Sequence, residues 1–243
     1  MSTLSEAWEY LTTGQNWTGA SGITTPTFDG GWRFAQDSIL ALTLEHLWMS
    51  FAAVALAVVV ALPLGIYLGH VRKGGAATVV VSNVTRAMPT LALLTLFAAS
   101  AIGFGNTAVI LAAAIFAFPP ILTNAFTGMA DVDPDIREAA IGQGLTAFHV
   151  ATRVELPLAI PLIAAGLRTA TVQTVATVPL AALVAGGGLG VVINRGLATQ
   201  RYGEVLAGAV LVAAVALLTD AVMSRLQRSV TPAPLREAAA ASV

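Results

Sequence analysis

Cysteine is absent from this 243-residue chain, which removes disulfide frameworks and thiolate chemistry. Charge is scarce as well: 10% of residues are charged against 56% hydrophobic. A soluble domain of this length needs far more charge to cover its surface, and a mean hydropathy of +0.80 puts the chain in the membrane class. The net charge of −1 offers no handle for nucleic acid. Lys73 is the sole lysine; it follows Arg72 and precedes Gly74, so the Gly-Lys-Ser/Thr core of a phosphate-binding loop is lacking. His46, His70 and His149 are scattered, without carboxylate neighbours at ligand spacing, which argues against a metal site. No Ser/His/Asp or paired-carboxylate arrangement suggests a membrane enzyme, since Glu204 and Asp220 stand alone. A basic leader followed by an early apolar run is missing too, so the N-terminus does not read as a signal peptide.

What is present is a series of long apolar runs. A helix needs about 20 apolar residues to cross the hydrocarbon core. Five stretches qualify: Leu47–Gly69; about Ala77–Ala101, with Arg86 inside and Pro89 bending it; Thr107–Met129, interrupted by Pro119-Pro120; about Leu158–Val184; and about Val205–Met223. The expected fold is all-α and polytopic, with a transmembrane domain over residues 46–225. An arm over residues 1–45 carries Trp8, Tyr10, Trp17, Trp32 and Phe34, aromatics suited to the headgroup zone, and is expected on the membrane surface. A tail over residues 226–243 contains Pro232 and Pro234 and reads as loose. Basic residues favour the inside. Placing the loop 131–157 inside puts Arg72, Lys73, Arg225, Arg228 and Arg236 there too, with the N-terminus out and the C-terminus in; the segment with Arg195 and Arg201 is the exception.

That loop, DVDPDIREAAIGQGLTAFHVATRVELP, is the most informative segment. It reads as a short helix, a turn and a second helix entering the membrane. Asp133, Asp135 and Glu138 sit toward the helix front, where carboxylates complement its dipole. Ala139 and Ala140 permit close approach of a neighbour, and Gly144 lets the chain leave the helix without a Cβ penalty. Pro157 needs no N–H partner at the start of the next helix. Taken alone, these residues fit a docking lever for another protein, or an ordinary amphipathic loop helix with a Gly cap and a Pro start.

Glu138-Ala139-Ala140, Gly144 and Val154-Glu155-Leu156-Pro157 follow the order and spacing of the cytoplasmic coupling loop of ABC importer permeases, which this segment resembles. His46-Leu47-Trp48-Met49-Ser50, Arg86-Ala87-Met88-Pro89-Thr90 and Ala185-Gly186-Gly187-Gly188-Leu189-Gly190 are similar to segments of the quaternary-amine members. The resemblance implies a type I (MetI-like) permease in a bacterial cytoplasmic (inner) membrane, serving glycine betaine, choline or carnitine uptake. It implies separate ATPase subunits that bind ATP and magnesium, with no cofactor in this chain. An extracytoplasmic solute-binding protein and a second permease copy or paralogue are further implied partners, beside the bilayer. It assigns ATPase coupling to Glu138, Ala139, Ala140, Gly144, Leu156 and Pro157.

Two other features bear on passage of a substrate. Thr169, Gln173 and Thr177 recur every fourth residue, flanked by Thr171 and Thr174. Such a stripe could line a translocation path, and it equally suits hydroxyls and amides that bond helices together. Gly186, Gly187, Gly188 and Gly190 read either as an outer hinge against which a binding protein docks or as a plain flexible loop. Arg86 and Arg168 are costly within a membrane and read as structural, each needing an acceptor. The rival readings are a methionine or other amino-acid importer of the same architecture, and an ATP-independent secondary carrier. The second is disfavoured because no internal repeat is visible.

Overall fold

A computed structural model describes residues 2–18, 27–28, 32–33 and 38–231. The expectations placed on Phe34, Pro232, Pro234 and Arg236 lie outside the described residues. The chain opens with α1 (Thr3–Thr12), α2 (Gly14–Thr18) and two antiparallel two-residue strands, β1 (Thr27–Phe28) and β2 (Trp32–Arg33). Then follow α3 (Ile39–His70), α4 (Gly75–Ala87), α5 (Thr90–Ala99), α6 (Asn106–Ala130), α7 (Pro134–Gly142) and α8 (Ala147–Val150). A π turn over Ala151–Glu155 leads into α9 (Leu156–Thr177), which tightens to a 3-10 turn over Val178–Val184. The last described helices are α10 (Gly190–Ala198) and α11 (Tyr202–Val230).

Among the described residues, four helical runs are long and apolar enough to cross a membrane: Ile39–His70, Asn106–Ala130, Ala147–Val184 and Tyr202–Val230. α4 and α5 make a fifth only as one broken span, bent by 80° at Met88-Pro89. Two sequence expectations need correction. Pro119 and Pro120 do not interrupt α6, which runs unbroken from Asn106 to Ala130. The prolines free the carbonyls of Ile115 and Phe116, four residues back, and membrane helices tolerate such losses through small backbone adjustments and neighbouring groups. The first span also begins earlier than expected, at Ile39, and takes Glu45 and His46 into the helix.

The chain divides into two compact units, each assembled from several stretches of sequence. One comprises Met1–Ala53, Pro89–Ala114 and Val172–Leu218. Its core contains a cluster around Met49, Leu94, Val109 and Val184. In a second cluster α1 docks through Ala7 and Tyr10 beside Ile39, Leu189 and Val192. The opposite face of α1 exposes Leu4 and Trp8, an apolar pair one turn apart suited to the membrane interface.

The other unit comprises Val54–Met88, Ile115–Thr171 and Thr219–Val243. Its core is built on small side chains, with Ala57, Ala61, Ala117 and Ala170 beside Val54, Ile121 and Leu122. Gly65 and Gly69, four apart on α3, press against α6; a Cβ at either would lie 2.7 Å from that of Ala125 or 2.6 Å from that of Met129. This is the small-xxx-small crossing by which membrane helices gain contact area without a hydrophobic drive. α4 inverts soluble logic: it buries Thr78, Ser82 and Thr85 while exposing Val79, Val80, Val81 and Val84. The Ser82 and Thr123 hydroxyls pair at 2.8 Å, and Thr85 donates back to the Val81 carbonyl.

Candidate functional site

The loop between α6 and α9 lies wholly within the second unit and folds as a capped lever. Asp133 is the N-cap of α7, its carboxylate accepting from the Asp135 N–H at 2.8 Å, and Pro134 occupies the first helical position. The helix ends in a double bond: Leu145 N–H returns to the Ala140 carbonyl and Gly144 N–H to that of Ile141. That pairing is the Schellman motif, and Gly144 takes the left-handed backbone it requires, with φ +82°. The Arg72 guanidinium donates to the Val132 carbonyl at 2.6 Å, tying the turn after α3 to the start of this lever.

The lever has two faces. Ala140 is buried against the chain. Glu138, Ala139 and Gly144 are exposed, together with the large apolar side chains of Ile136, Ile141 and Phe148. Leu156 opens α9 and Pro157 is its second residue, although the helical path continues back to Ala147 through the π turn. In that turn the Leu156 N–H reaches five residues back to the Ala151 carbonyl. Pro157 supplies no N–H for the Arg153 carbonyl, and a widened turn is one way a helix accommodates the loss.

Sequence reading gave Glu155 no role of its own. Its carboxylate is fully buried. Oε2 meets His70 Nδ1 at 2.5 Å, and Oε1 faces Arg137 Nε at 3.3 Å. His70 ends α3 and Arg137 lies on α7, so one carboxylate joins three helices of this unit. The available signal was a lone acidic residue at the mouth of an apolar helix, where burial without a partner is costly.

Arg168 of α9 has its acceptor within the same unit: its guanidinium grips the Asp220 carboxylate of α11 in two parallel bonds of 2.7 and 2.8 Å. The acceptor that the sequence reading required for Arg168 is thus a carboxylate of this chain. Asp220, which stood alone in the sequence, is half of a bidentate pair.

In the first unit the glycine run is held fast. Glu45 of α3 accepts from the Gly188 N–H at 3.1 Å and from the Asn106 side chain at 2.7 Å, while Asn106 accepts from the Gly187 N–H at 2.9 Å. A Cβ on Gly187 would overlap the Glu45 carboxylate, and one on Gly190 the Pro179 carbonyl. A Cβ on Gly186 would lie 2.9 Å from that of Ala181. The glycines therefore serve close approach as well as turning. Nearby, His46 Nε2 bonds the Val175 carbonyl at 2.9 Å.

The same unit holds a polar cleft of about 560 Å³ lined by Glu6, Tyr10, Arg195, Arg201 and Glu204 among others. Glu204 is buried and pairs with Arg195, which donates to the Tyr10 hydroxyl at 2.8 Å. Burial pushes the Tyr10 phenol above its ordinary pKa, partly opposed by the Arg195 guanidinium. Sequence reading saw Arg195 and Arg201 only as exceptions to the charge rule and missed this acidic partner.

On α9, Thr169 and Gln173 are exposed and Thr177 is half-buried, whereas Thr171 and Thr174 face the interior. Thr171 and Thr177 donate back to the Leu167 and Gln173 carbonyls. The back-bonding spares those hydroxyls a partner on another helix, and Gln173 turns its amide out of the chain.

The model for the "Binding-protein-dependent transport system inner membrane component" family matches residues 61–232. The chain is 37% identical over 198 residues to the glycine betaine/carnitine/choline transport system permease protein OpuCB of Bacillus subtilis, covering 82% of this chain and 91% of that protein. It is 36% identical over 201 residues to the carnitine transport permease protein OpuCB of Listeria monocytogenes, covering 83% and 92%. In fold it is similar to a chain of the MetNI methionine ABC transporter solved in inward-facing conformations, with a TM-score of 0.69 at 22% identity over 80% of this chain and 96% of that one. Matched along most of its helical length, this all-α, multi-pass chain belongs to the family of binding-protein-dependent transport system inner membrane components.

Proposed function

We propose that this chain is the pore-forming subunit of an ATP-driven importer for small quaternary amines of the glycine betaine, choline and carnitine class. The observation that carries the reading is the capped α7 lever, which buries Ala140 and presents Ile136, Glu138, Ala139 and Ile141 outward. A helix that exposes Ile136 and Ile141 beside its charged residues, with Arg72 bonded at its root, suits the cleft of a soluble ATPase at the inner membrane face. The substrate class is carried over from the relatives named above. With the lever inside and α4–α5 counted as one broken span, parity puts the N-terminus out and the C-terminus in, and the glycine run and the polar cleft face outward.

Two copies of this chain, or one with a paralogue, enclose the path. Two ATPase subunits holding ATP and magnesium engage the levers, and a solute-binding protein delivers the cargo. The Thr169–Gln173–Thr177 face of α9 fits the path lining, since the exposed Gln173 amide suits neither lipid nor this chain's core, while Thr177 bonds back to the Gln173 carbonyl. ATP-driven closure of the ATPases draws the levers together and tilts the spans between inward- and outward-open states.

Uptake of radiolabelled glycine betaine by a transport-deficient host tests the reading, with this chain expressed beside its ATPase and binding protein. ATP-dependent accumulation is expected, lost when Gly144 is replaced by a bulky residue while membrane insertion persists. Normal uptake by the Gly144 variant counts against the lever. An intact ATPase-bound complex without betaine uptake counts against the substrate class alone.

A further inference from the structure

We infer that Glu155 is the joint through which movement of the α7 lever reaches the membrane helices, with Arg137 and His70 as its two sockets. The inference rests on the proposal that α7 engages an ATPase. It concerns a residue to which the resemblance assigns no role.

The geometry is specific. Glu155 closes the π turn, one residue before α9 begins, so its backbone belongs to the spanning helix. Its side chain is completely buried. Oε1 faces Arg137 Nε at 3.3 Å, and Arg137 sits on α7 directly before Glu138. Oε2 meets Nδ1 of His70, the last residue of α3, at 2.5 Å. The three groups lie 85 and 18 positions apart in sequence (155 − 70 and 155 − 137) and share no other side-chain bond among the described residues.

Packing also sets α7 against α8 and the π turn, through small contacts. The α7 helix buries Ala140 alone among its residues, so its apolar grip on the chain is slight. The Arg137–Glu155 contact is an ion pair at 3.3 Å, with no hydrogen bond to Oε1, and separating it leaves a buried carboxylate without its countercharge, which opposes independent movement of α7. Arg72, donating to the Val132 carbonyl ahead of α7, provides a pivot at the lever's root rather than a link into α9. The π turn adds compliance where the force arrives, since wide turns mark positions at which helices deform. Glu155 is thus a positioning residue: it touches neither substrate nor nucleotide.

The test uses the whole complex of permease, ATPase and binding protein in proteoliposomes. It compares wild type with Glu155→Gln, His70→Gln, Arg137→Gln and the Arg137→Gln/Glu155→Gln double variant. ATPase co-purification, unstimulated ATP hydrolysis, hydrolysis stimulated by the binding protein and glycine betaine uptake are measured on the same preparations. The stimulated rate should fall by about tenfold more than the unstimulated rate in Glu155→Gln, and the double variant should lose little beyond that. A merely structural role lowers assembly, both hydrolysis rates and uptake in proportion, and that result overturns the joint. Retained stimulation in all the variants overturns it too. Should Glu155→Gln fail to assemble, the milder His70→Gln and Arg137→Gln decide by the same ratio. A wild-type complex that binds no ATPase overturns the coupling proposal itself, and with it the joint; a stimulated wild type without betaine uptake faults only the substrate class.

Discussion

Gly187 shows how much one absent methyl group can hold in place. Its N–H is accepted by Asn106, its Cα lies against the Glu45 carboxylate, and Glu45 in turn is shared by Asn106 and the Gly188 N–H. Any side chain at position 187 pushes the Glu45 carboxylate away from its bonds with Asn106 and the Gly188 N–H. Gly187→Ala should destabilise the folded permease by about 1–3 kcal/mol through overpacking. Gly142→Ala is the control: a Cβ there meets nothing within 4 Å inside α7, and the change should be neutral or mildly stabilising. Thermal unfolding of both variants in detergent decides; equal stability would mean that the Glu45 clasp yields at no cost. Gly144 behaves differently, because its neighbourhood is open and its constraint is purely the backbone φ of +82°.

Among elements, α9 and α11 illustrate where sequence could and could not lead. The spans were legible because nothing but a long apolar run survives in lipid, and because Gly103–Asn106 and Arg72–Gly75 break those runs. The Gly144 cap and the Pro89 bend were legible as well, since both follow from backbone chemistry local to one residue. Partnerships across 52 or 85 positions were not. Arg168 was recognised as needing an acceptor, yet no pattern in the chain identifies Asp220 as that acceptor. The first span was read from Leu47, after Glu45, although each Glu45 carboxylate oxygen accepts a hydrogen bond within the fold, from Asn106 or from Gly188. The Arg168–Asp220 pair is testable as an element-level clasp. Arg168→Asp or Asp220→Arg alone places like charges together and should reduce the yield of folded protein, while the double exchange restores it; a double exchange no better than the singles would show the pair to be incidental.

At the scale of the whole molecule, the exposed polar face of α9 demands an environment that one copy of the chain does not supply. Thr169 and Gln173 point out of an apolar helix. A Gln amide facing lipid leaves donors and acceptors unmet, whereas water in a path, or a second permease, satisfies them. The absence of cysteine makes the choice measurable on a clean background. A single Gln173→Cys should react with a membrane-impermeant thiol reagent, at a rate that changes by about tenfold between nucleotide-free and ATP-bound complexes if the face alternates between closed and open. Thr171→Cys, on the buried side at 2% exposure, should stay unreactive in both states. Labelling of Gln173→Cys that is independent of nucleotide would place this face at a static wet surface, and protection in both states would assign it to contact between subunits. Water explains the polarity in the first case and a partner chain in the second, so the accessibility pattern discriminates the path from the interface whatever the cargo.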